Sequence, residues 1–249
     1  MMTADIWSPL LDELDRWRAN GKVAQFWLRD DDAVEPTVTL ERLMDLTQNH
    51  AVPVALAVIP ERTGETLATY LRDKPMAGVA VHGWSHQNHA GEGEKKQELG
   101  AHRPIETVIA EIGAGFTHLQ ALYPQQFVPV LVPPWNRVTA PIVAELPGLG
   151  FRALSVFGPE KAALLPVINT HVDLIDWHGT RGARDHTDLV ADIVRRLQRT
   201  FETSGSMGLL THHLVHDEHA WRFLDMLFEI TTRHPACNWK SLSDMLDQH

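Results

Sequence analysis

The sequence predicts an α/β fold in which about seven short parallel strands form a barrel-like sheet surrounded by helices. Apolar runs of strand length alternate with amphipathic helical segments, which is the pattern of parallel strands joined by right-handed crossovers. Polar residues gather after the C-terminal ends of several strands, as they do at the active-site face of a β/α barrel. No glycine-rich phosphate loop follows the first strand, which disfavours an open nucleotide-binding sheet.

Each strand is predicted from a short apolar run that stops at glycine, proline or a polar residue. The predicted strands are residues 23–28, 52–59, 76–81, 127–132, 151–156, 168–175 and 207–210. Helices are predicted where apolar residues recur at three- and four-residue spacing; Ser8-Pro9 and Gly21 mark the start and the end of the first. The other predicted helices are residues 36–50, 63–72, 104–122, 141–146, 187–201, 217–232 and 240–246. The charged stretch 91–103 is predicted to be a solvated loop.

The composition predicts one domain spanning residues 1–249, because 44% hydrophobic content supports a full core and no linker-like stretch divides the chain. A net charge of −10 disfavours nucleic acid as a partner. With Cys237 as the only cysteine, a disulfide framework and a thiolate zinc site are excluded. Residues 1–11 carry no export signal and no apolar stretch has membrane-spanning length, so we expect a cytoplasmic protein without a membrane partner. The oligomeric state stays open.

The most informative stretch is His82-Gly83-Trp84-Ser85-His86, which directly follows the predicted strand 76–81. Two histidines four residues apart could present both rings on one side of a helical turn, a common way to bind one metal ion. The chain has fifteen histidines and only two tyrosines, a composition that favours metal binding or proton transfer as its chemistry. For an isolated pair, a polar loop with solvated histidines is the better interpretation. Companion residues at other strand ends therefore decide between the two.

Such companions are present, because five polar clusters follow five predicted strands. They are Arg29-Asp30-Asp31-Asp32, His82 with His86, Pro133-Pro134-Trp135, Asp173 to Trp177, and Leu210-Thr211-His212. Each cluster alone has an ordinary explanation as a helix cap, a rigid loop, a turn or a solvated surface. Since the C-terminal ends of parallel strands meet at one face, their joint occurrence favours a functional site there.

These motifs, in this order, resemble the polysaccharide deacetylases of the NodB-homology type, carbohydrate esterase family 4, over roughly residues 23–212. The resemblance implies a distorted (β/α)-barrel and a divalent metal ion, with zinc expected first and cobalt, nickel or iron as alternatives. Asp31 and Asp32 match the family's Asp-Asp pair, the first a general base and the second a metal ligand. By the same resemblance, His82 and His86 are the other two metal ligands.

The remaining family motifs supply the walls of the site and the general acid. Pro133-Pro134-Trp135 matches the third motif, which places Pro134 and Trp135 at the substrate. Asp176-Trp177 matches the fourth, in which the tryptophan lines the pocket and the aspartate orients the acid. Leu210-Thr211-His212 matches the fifth, in which the histidine is the acid. The resemblance thus implies amide hydrolysis by metal-activated water, with Asp31 taking a proton and His212 protonating the amine.

Three positions depart from the family pattern. Ala33 stands where glycine follows the aspartate pair, and Gln87 stands where proline follows the second histidine. Val132 replaces the arginine that normally pairs with the catalytic aspartate. Either Arg137, which we also assign to substrate binding, or Arg29 could supply the missing guanidinium.

Two neighbours compete with the assigned base and acid. Asp30 adds a third carboxylate beside Asp31, and His213 follows His212. Because neighbouring side chains of a strand point to opposite faces, only one member of each pair should face the metal.

The sequence leaves several functions open. Absence of an export signal makes a small N-acyl compound as plausible a substrate as an oligosaccharide. Alternatives are a hydrolase of another small cyclic or linear non-peptide amide, and a catalytically impaired metal-binding homologue. A His-His-carboxylate iron oxygenase is disfavoured, because such sites usually sit on β-sandwiches and this chain alternates strands with helices.

Overall fold

Eight parallel strands pair in one sheet in the computed structural model, which describes residues 6–203 and 205–248. The sheet order is β5-β4-β3-β2-β1-β7-β6, and β8 pairs with the start of β1. The strands are β1 Ala24–Ala33, β2 Val54–Val58, β3 Ala77–His82, β4 Phe127–Val132, β5 Ala153–Leu154, β6 Val172–Asp173, β7 Met207–Thr211 and β8 Cys237–Trp239. The seven predicted strands are all present, and β8 is the additional one.

The sheet closes into a distorted barrel through the segment 166–174. Its first half pairs with the β5 side, where Leu154 N–H donates to the carbonyl of Pro166 at 3.0 Å. Its second half pairs with β7, where Leu174 N–H donates to the carbonyl of Leu210 at 3.0 Å. One segment thus bridges the two edges of the sheet, and the predicted (β/α)-barrel is confirmed.

Eight α-helices lie in the described residues, and the last of them packs against the apolar cluster inside the barrel. They are α1 Ser8–Ala19, α2 Val38–Asn49, α3 Glu65–Leu71, α4 Ile105–Leu122, α5 Ala140–Glu145, α6 His186–Thr200, α7 Glu218–Arg233 and α8 Leu242–Leu246. Thr37, Asp185, Asp217 and Ser241 each cap a helix by accepting a backbone N–H, which explains where those helices begin. Within the described residues, no helix is both long and apolar enough to span a bilayer.

The inside of the barrel has its own apolar cluster, separate from the larger core between sheet and helices. Strand alternation sends Phe26 to the helix side and Trp27 to the inside. The Trp27 indole donates to the carbonyl of Asn169 at 3.2 Å, and a Cβ at Gly208 would lie 2.5 Å from the indole nitrogen. Arg29 follows Trp27 at the same strand face and is fully buried, so β1 carries a guanidinium into the site end of the barrel.

The closing segment is tied to α6 by Glu160, which lies 2.9 Å from His171 Nε2 and 2.7 Å from Arg196 Nη2. His171 Nδ1 accepts the Gly208 N–H, so Nε2 carries the proton that His171 donates to Glu160. Burial raises the pKa of Glu160, but hydrogen bonds from His171, from its own backbone and from Arg196 lower it to about 2. The carboxylate form is therefore favoured in the folded protein.

This lowered pKa predicts a pH-dependent contribution to stability. The contribution should be complete above the ordinary glutamate pKa of 4.5 and should be lost as the pH falls toward 2. Urea unfolding should show Glu160→Gln to be less stable than the wild type at neutral pH, with the difference shrinking below pH 4.5. A difference that stays constant down to pH 2 would contradict this role for the Glu160 carboxylate.

Candidate metal centre and active site

The sequence predicts that the three consecutive aspartates follow the first strand. They are instead part of it, since β1 runs to Ala33. Asp30 and Asp31 point to opposite faces, as strand alternation requires. Asp32 has a left-handed backbone with φ 76°, and the β1–β2 register shifts between Asp30 and Ala33. This irregularity breaks the alternation, so Asp31 and Asp32 can face the same site.

Asp32, His82 and His86 bring their ligand atoms within 4.8 Å of one another. Asp32 Oδ1 lies 3.2 Å from His82 Nε2 and 3.3 Å from His86 Nε2. His82 is the last residue of β3, but no helical turn follows it. His86 instead sits on an irregular loop with a left-handed φ of 59°, so the expected helical presentation of the two rings is wrong. The backbone of that loop, rather than helix periodicity, brings the rings together.

The donor atoms of this triad fit a divalent metal ion. The His82 Nδ1–H donates to the carbonyl of Val132 at 2.9 Å, and Nε2–H donates to Asp32 Oδ1 at 3.2 Å, so Nε2 is the nitrogen that would exchange its proton for a metal ion. Burial raises the pKa of Asp32, but the hydrogen bond from His82 and the charges of His82, His86 and His212 bring it below its usual value. Burial and the charge of His82 lower the pKa of His86. An ionised carboxylate and imidazole nitrogens with free lone pairs are the forms that bind zinc and similar metals.

Asp31 lies beside the triad and is paired with Arg29. Arg29 Nη2 donates to Asp31 Oδ2 at 3.0 Å, and Nε lies in ion-pair contact 2.9 Å from Oδ1, which accepts no hydrogen bond. The guanidinium also donates to Asn136 Oδ1 and Ser155 Oγ, both at 2.8 Å. Arg137 does not reach Asp31, because its Nη1 donates to the carbonyl of Lys96 at 2.8 Å. Of the two candidate arginines, Arg29 is therefore the one that pairs with Asp31.

His212 approaches the same carboxylate, with its Nε2 3.9 Å from Asp31 Oδ2. The Trp177 ring meets the His212 ring edge to face, at 4.7 Å between centroids. Trp177 Nε1–H donates to Asp173 Oδ2 at 2.9 Å, and burial raises the pKa of Asp173 while the charge of His212 opposes that rise. The carboxylate of Asp176 instead accepts the N–H groups of Gly179 and Thr180. The carboxylate that accepts the Trp177 N–H is thus that of Asp173, whereas the predicted Asp176 binds a backbone turn.

Comparisons with known proteins rest on the fold. No protein-family model and no curated sequence matches the chain. Among solved structures, a proposed polysaccharide deacetylase from Mycobacterium smegmatis superposes with a TM-score of 0.65 and 13% identity, covering 92% of this chain and 90% of that one. The chain has the polysaccharide-deacetylase fold.

Two further structures with this fold agree over similar lengths. A family 4 carbohydrate esterase from Streptomyces lividans, solved with acetate, gives a TM-score of 0.58 at 13% identity over 91% of this chain and 95% of that one. A family 4 acetyl xylan esterase from Clostridium thermocellum, solved with cobalt, gives a TM-score of 0.55 at 14% identity over 90% of this chain and 91% of that one. The deacetylase fold expected from the motifs is therefore confirmed.

In this deacetylase fold, Pro134 and Trp135 border the triad. The Trp135 ring lies 4.4 Å from the His86 ring, and its backbone is left-handed with φ 54°. Pro134 is buried and packs over the loop at Gly83, where a Cβ would lie 2.6 Å from Pro134 Cγ. Trp177, which contacts His212, is 39% exposed, so part of its indole is open to solvent.

His213 lies outside the site, on the opposite face of β1. Its Nδ1 contacts Asp30 Oδ1, and its backbone N–H donates to Asp30 Oδ2 at 2.9 Å. Thr211 Oγ1 donates to the same oxygen at 2.7 Å. Because both members of the pair are buried and hydrogen-bonded to each other, we assign Asp30 and His213 to the structure of the barrel end.

Four residues that contact the site were not assigned from the sequence: Asn136 and Ser155, which accept from Arg29, Asp173, which accepts from Trp177, and Glu98, which accepts the N–H of His86. Arg29 and Asp31 are two residues apart in a strand, which places them on one face, and this spacing could have decided between Arg29 and Arg137. Asn136 and Ser155 carry no comparable signal, because they contact Arg29 across 107 and 126 residues of chain.

Proposed function

We propose that this chain is a metal-dependent hydrolase that cleaves N-acyl amide bonds, in particular N-acetyl groups, of a small molecule or an oligosaccharide. The observation that carries the proposal is the convergence of Asp32, His82 and His86 beside Asp31 and His212. The solved structures that share the fold include family 4 esterases, which supports this reaction class. A cytoplasmic location and the absence of a nucleic-acid partner stay expectations from the sequence.

Asp32, His82 and His86 would hold the metal ion, with zinc expected first and cobalt, nickel or iron as alternatives. When bound, a divalent metal lowers the pKa of a water molecule to about 7 and polarises the acyl carbonyl. The protein's own contribution is to keep the three donors in place, above all through the His82 contact with the Val132 carbonyl.

Asp31 would be the general base and would accept the proton of the attacking water. Arg29 donates to Asp31 Oδ2, whereas Oδ1 accepts no hydrogen bond and so has lone pairs for that proton. The hydrogen bond and the ion-pair contact with Arg29 fix the carboxylate in one orientation, which a general base requires.

His212 would donate a proton to the departing amine, since an amine leaves poorly as an anion. Its ring packs perpendicular to the ring of Trp177, whose Nε1–H donates to Asp173. In this proposal Asp173 takes the orienting role that the sequence motif gives to Asp176.

The walls of the site suggest where the substrate lies. Trp135 and Trp177 offer aromatic faces on two sides, which suit a sugar ring or an acyl group. Pro134 shapes the wall next to His86. Arg137 lines an adjoining cavity together with Val143 and Leu154, so it would contact an outer part of the substrate.

The test of this function is amine release from N-acetylated sugars and small N-acyl compounds, measured with zinc or cobalt and after chelation. Metal removal should abolish hydrolysis, and metal readdition should restore it. Alanine at Asp32, His82 or His86 should lower metal content as well as hydrolysis. Retention of full metal content in all three variants would contradict the site. Metal binding without turnover would support the impaired homologue, and product from cyclic amides alone would support the cyclic-amide hydrolase.

A further inference from the structure

Glu98 belongs to the charged stretch 91–103, which the sequence predicts to be solvated, yet it is 1% exposed. Its carboxylate lies under the loop that carries His86. We propose that Glu98 is a positioning residue for the metal centre, which fixes the backbone of residues 84–86 and so holds the His86 ring toward Asp32. This inference rests on the proposed metal site.

Four hydrogen bonds join Glu98 to that loop. Oε1 accepts from Ser85 N at 2.7 Å, Ser85 Oγ at 2.9 Å and His86 N at 3.1 Å. Oε2 accepts from Trp84 N at 3.2 Å. Three successive backbone N–H groups thus converge on one carboxylate, as in the concave anion sites formed by turns. In an irregular loop these donors have no strand partner, so the carboxylate satisfies them and they compensate its buried charge.

The loop needs this support because it reverses sharply. Gly83 and His86 both have left-handed backbones, with φ 58° and 59°. The N–H groups that Glu98 accepts belong to His86 and to the two residues between these positions. A Cβ at Gly83 would lie 2.1 Å from Glu98 Oε2. Glycine at this position therefore admits the carboxylate as well as the turn.

Glu98 is itself anchored on both sides. Leu99 is fully buried and pairs with Val138, and the Thr139 N–H donates to the Leu99 carbonyl at 3.1 Å. The Gln97 carbonyl accepts from His89 N at 3.0 Å. The carboxylate is consequently a fixed support for the His86 loop.

The two histidines depend on Glu98 to different degrees. His82 stands at the end of β3, and its Nδ1 is fixed by the Val132 carbonyl. His86 lies on the loop, so the position of its ring follows the backbone that Glu98 binds. Loss of Glu98 should therefore release one ligand and leave the other two in place.

The experiment is a titration of metal-free protein with Co²⁺ or Zn²⁺ against a chromophoric chelator, combined with the visible spectrum of the cobalt form. We expect Glu98→Ala to weaken metal binding by about 10- to 100-fold and to change the cobalt spectrum, because a ligand is lost. Glu98→Gln keeps one acceptor oxygen and should lie between Glu98→Ala and the wild type. The matched control is Glu94→Gln, an exposed carboxylate of the same stretch that binds Gly91 N and His102, and it should bind metal as the wild type does.

The outcomes separate the two proposals. A wild-type protein that takes up neither metal overturns the metal centre, and the role of Glu98 falls with it. If the wild type binds and Glu98→Ala binds equally well with an unchanged spectrum, only the role of Glu98 is overturned. Should Glu98→Ala fail to fold by circular dichroism, Glu98→Gln decides by the same titration, and wild-type affinity in that variant overturns the proposal.

Discussion

Asp31→Asn should lower kcat/KM by about 10²- to 10⁴-fold and leave the metal content unchanged. Asparagine keeps the size of the side chain and can still accept a hydrogen bond from Arg29, but its amide cannot take up the proton of the attacking water. Asp31 is 3% exposed and lies next to the triad without being part of it, which is why the two readouts should separate. Steady-state rates and metal analysis of the same preparation make the measurement.

Asp176→Asn is the matched control for this substitution. Its carboxylate accepts the N–H groups of Gly179 and Thr180, and the side chain of asparagine can keep one such contact. We expect its rate to stay within a few-fold of the wild type. A full rate in Asp31→Asn would contradict the assignment of Asp31 as the base, and a loss at Asp176 as large as at Asp31 would return Asp176 to the catalytic set.

Arg29→Met should destabilise the protein by about 3–5 kcal/mol, because it leaves Asp31 as a buried carboxylate without its cation. Activity should fall as well, since the base loses its fixed orientation. Arg29→Lys should give intermediate values, because an ammonium group keeps the charge but cannot reproduce the planar guanidinium's contacts with Asp31, Asn136 and Ser155. Urea unfolding of the metal-free proteins gives the free energies of unfolding.

A double substitution separates the effect of the Arg29–Asp31 pair on stability from its effect on hydrolysis. Arg29→Met combined with Asp31→Leu removes both charges and should recover much of the lost stability without recovering hydrolysis. A change of less than about 0.5 kcal/mol in Arg29→Met would mean that the pair contributes no more than an exposed ion pair.

The parts of the fold that were predicted correctly have strong local patterns. Continuous apolar runs predicted β2, β3 and β4, and helical spacing predicted α4 and α7. The additional strand β8 is only three residues long and contains Asn238, so no apolar run marks it. It forms because β1 offers backbone partners over Ala24–Phe26, which no local pattern in Cys237–Trp239 reveals.

Site residues that belong to a recognisable motif could be predicted from the sequence. Site residues whose hydrogen-bond partners are distant in the chain, or are backbone groups, could not. The triad was assigned by resemblance, and the structure brings its atoms together. Glu98 was placed in solvent because charge in a sequence usually marks a surface, and its partners are N–H groups that every residue possesses. Asp176 was chosen because it precedes Trp177, but the turn at Gly179 draws its carboxylate away while Asp173 faces the indole.

Two pairs of sequence neighbours, Asp30 with Asp31 and His212 with His213, divide their roles between the two faces of β1. Asp30 and His213 join the strand to the segment after β7, whereas Asp31 and His212 approach each other at the site. A shift of β1 by one residue would therefore exchange the buried structural carboxylate with the proposed base. Strand register, set by the pairing of Phe26–Asp30 with Met207–Thr211, thus determines which of two identical side chains is available for chemistry.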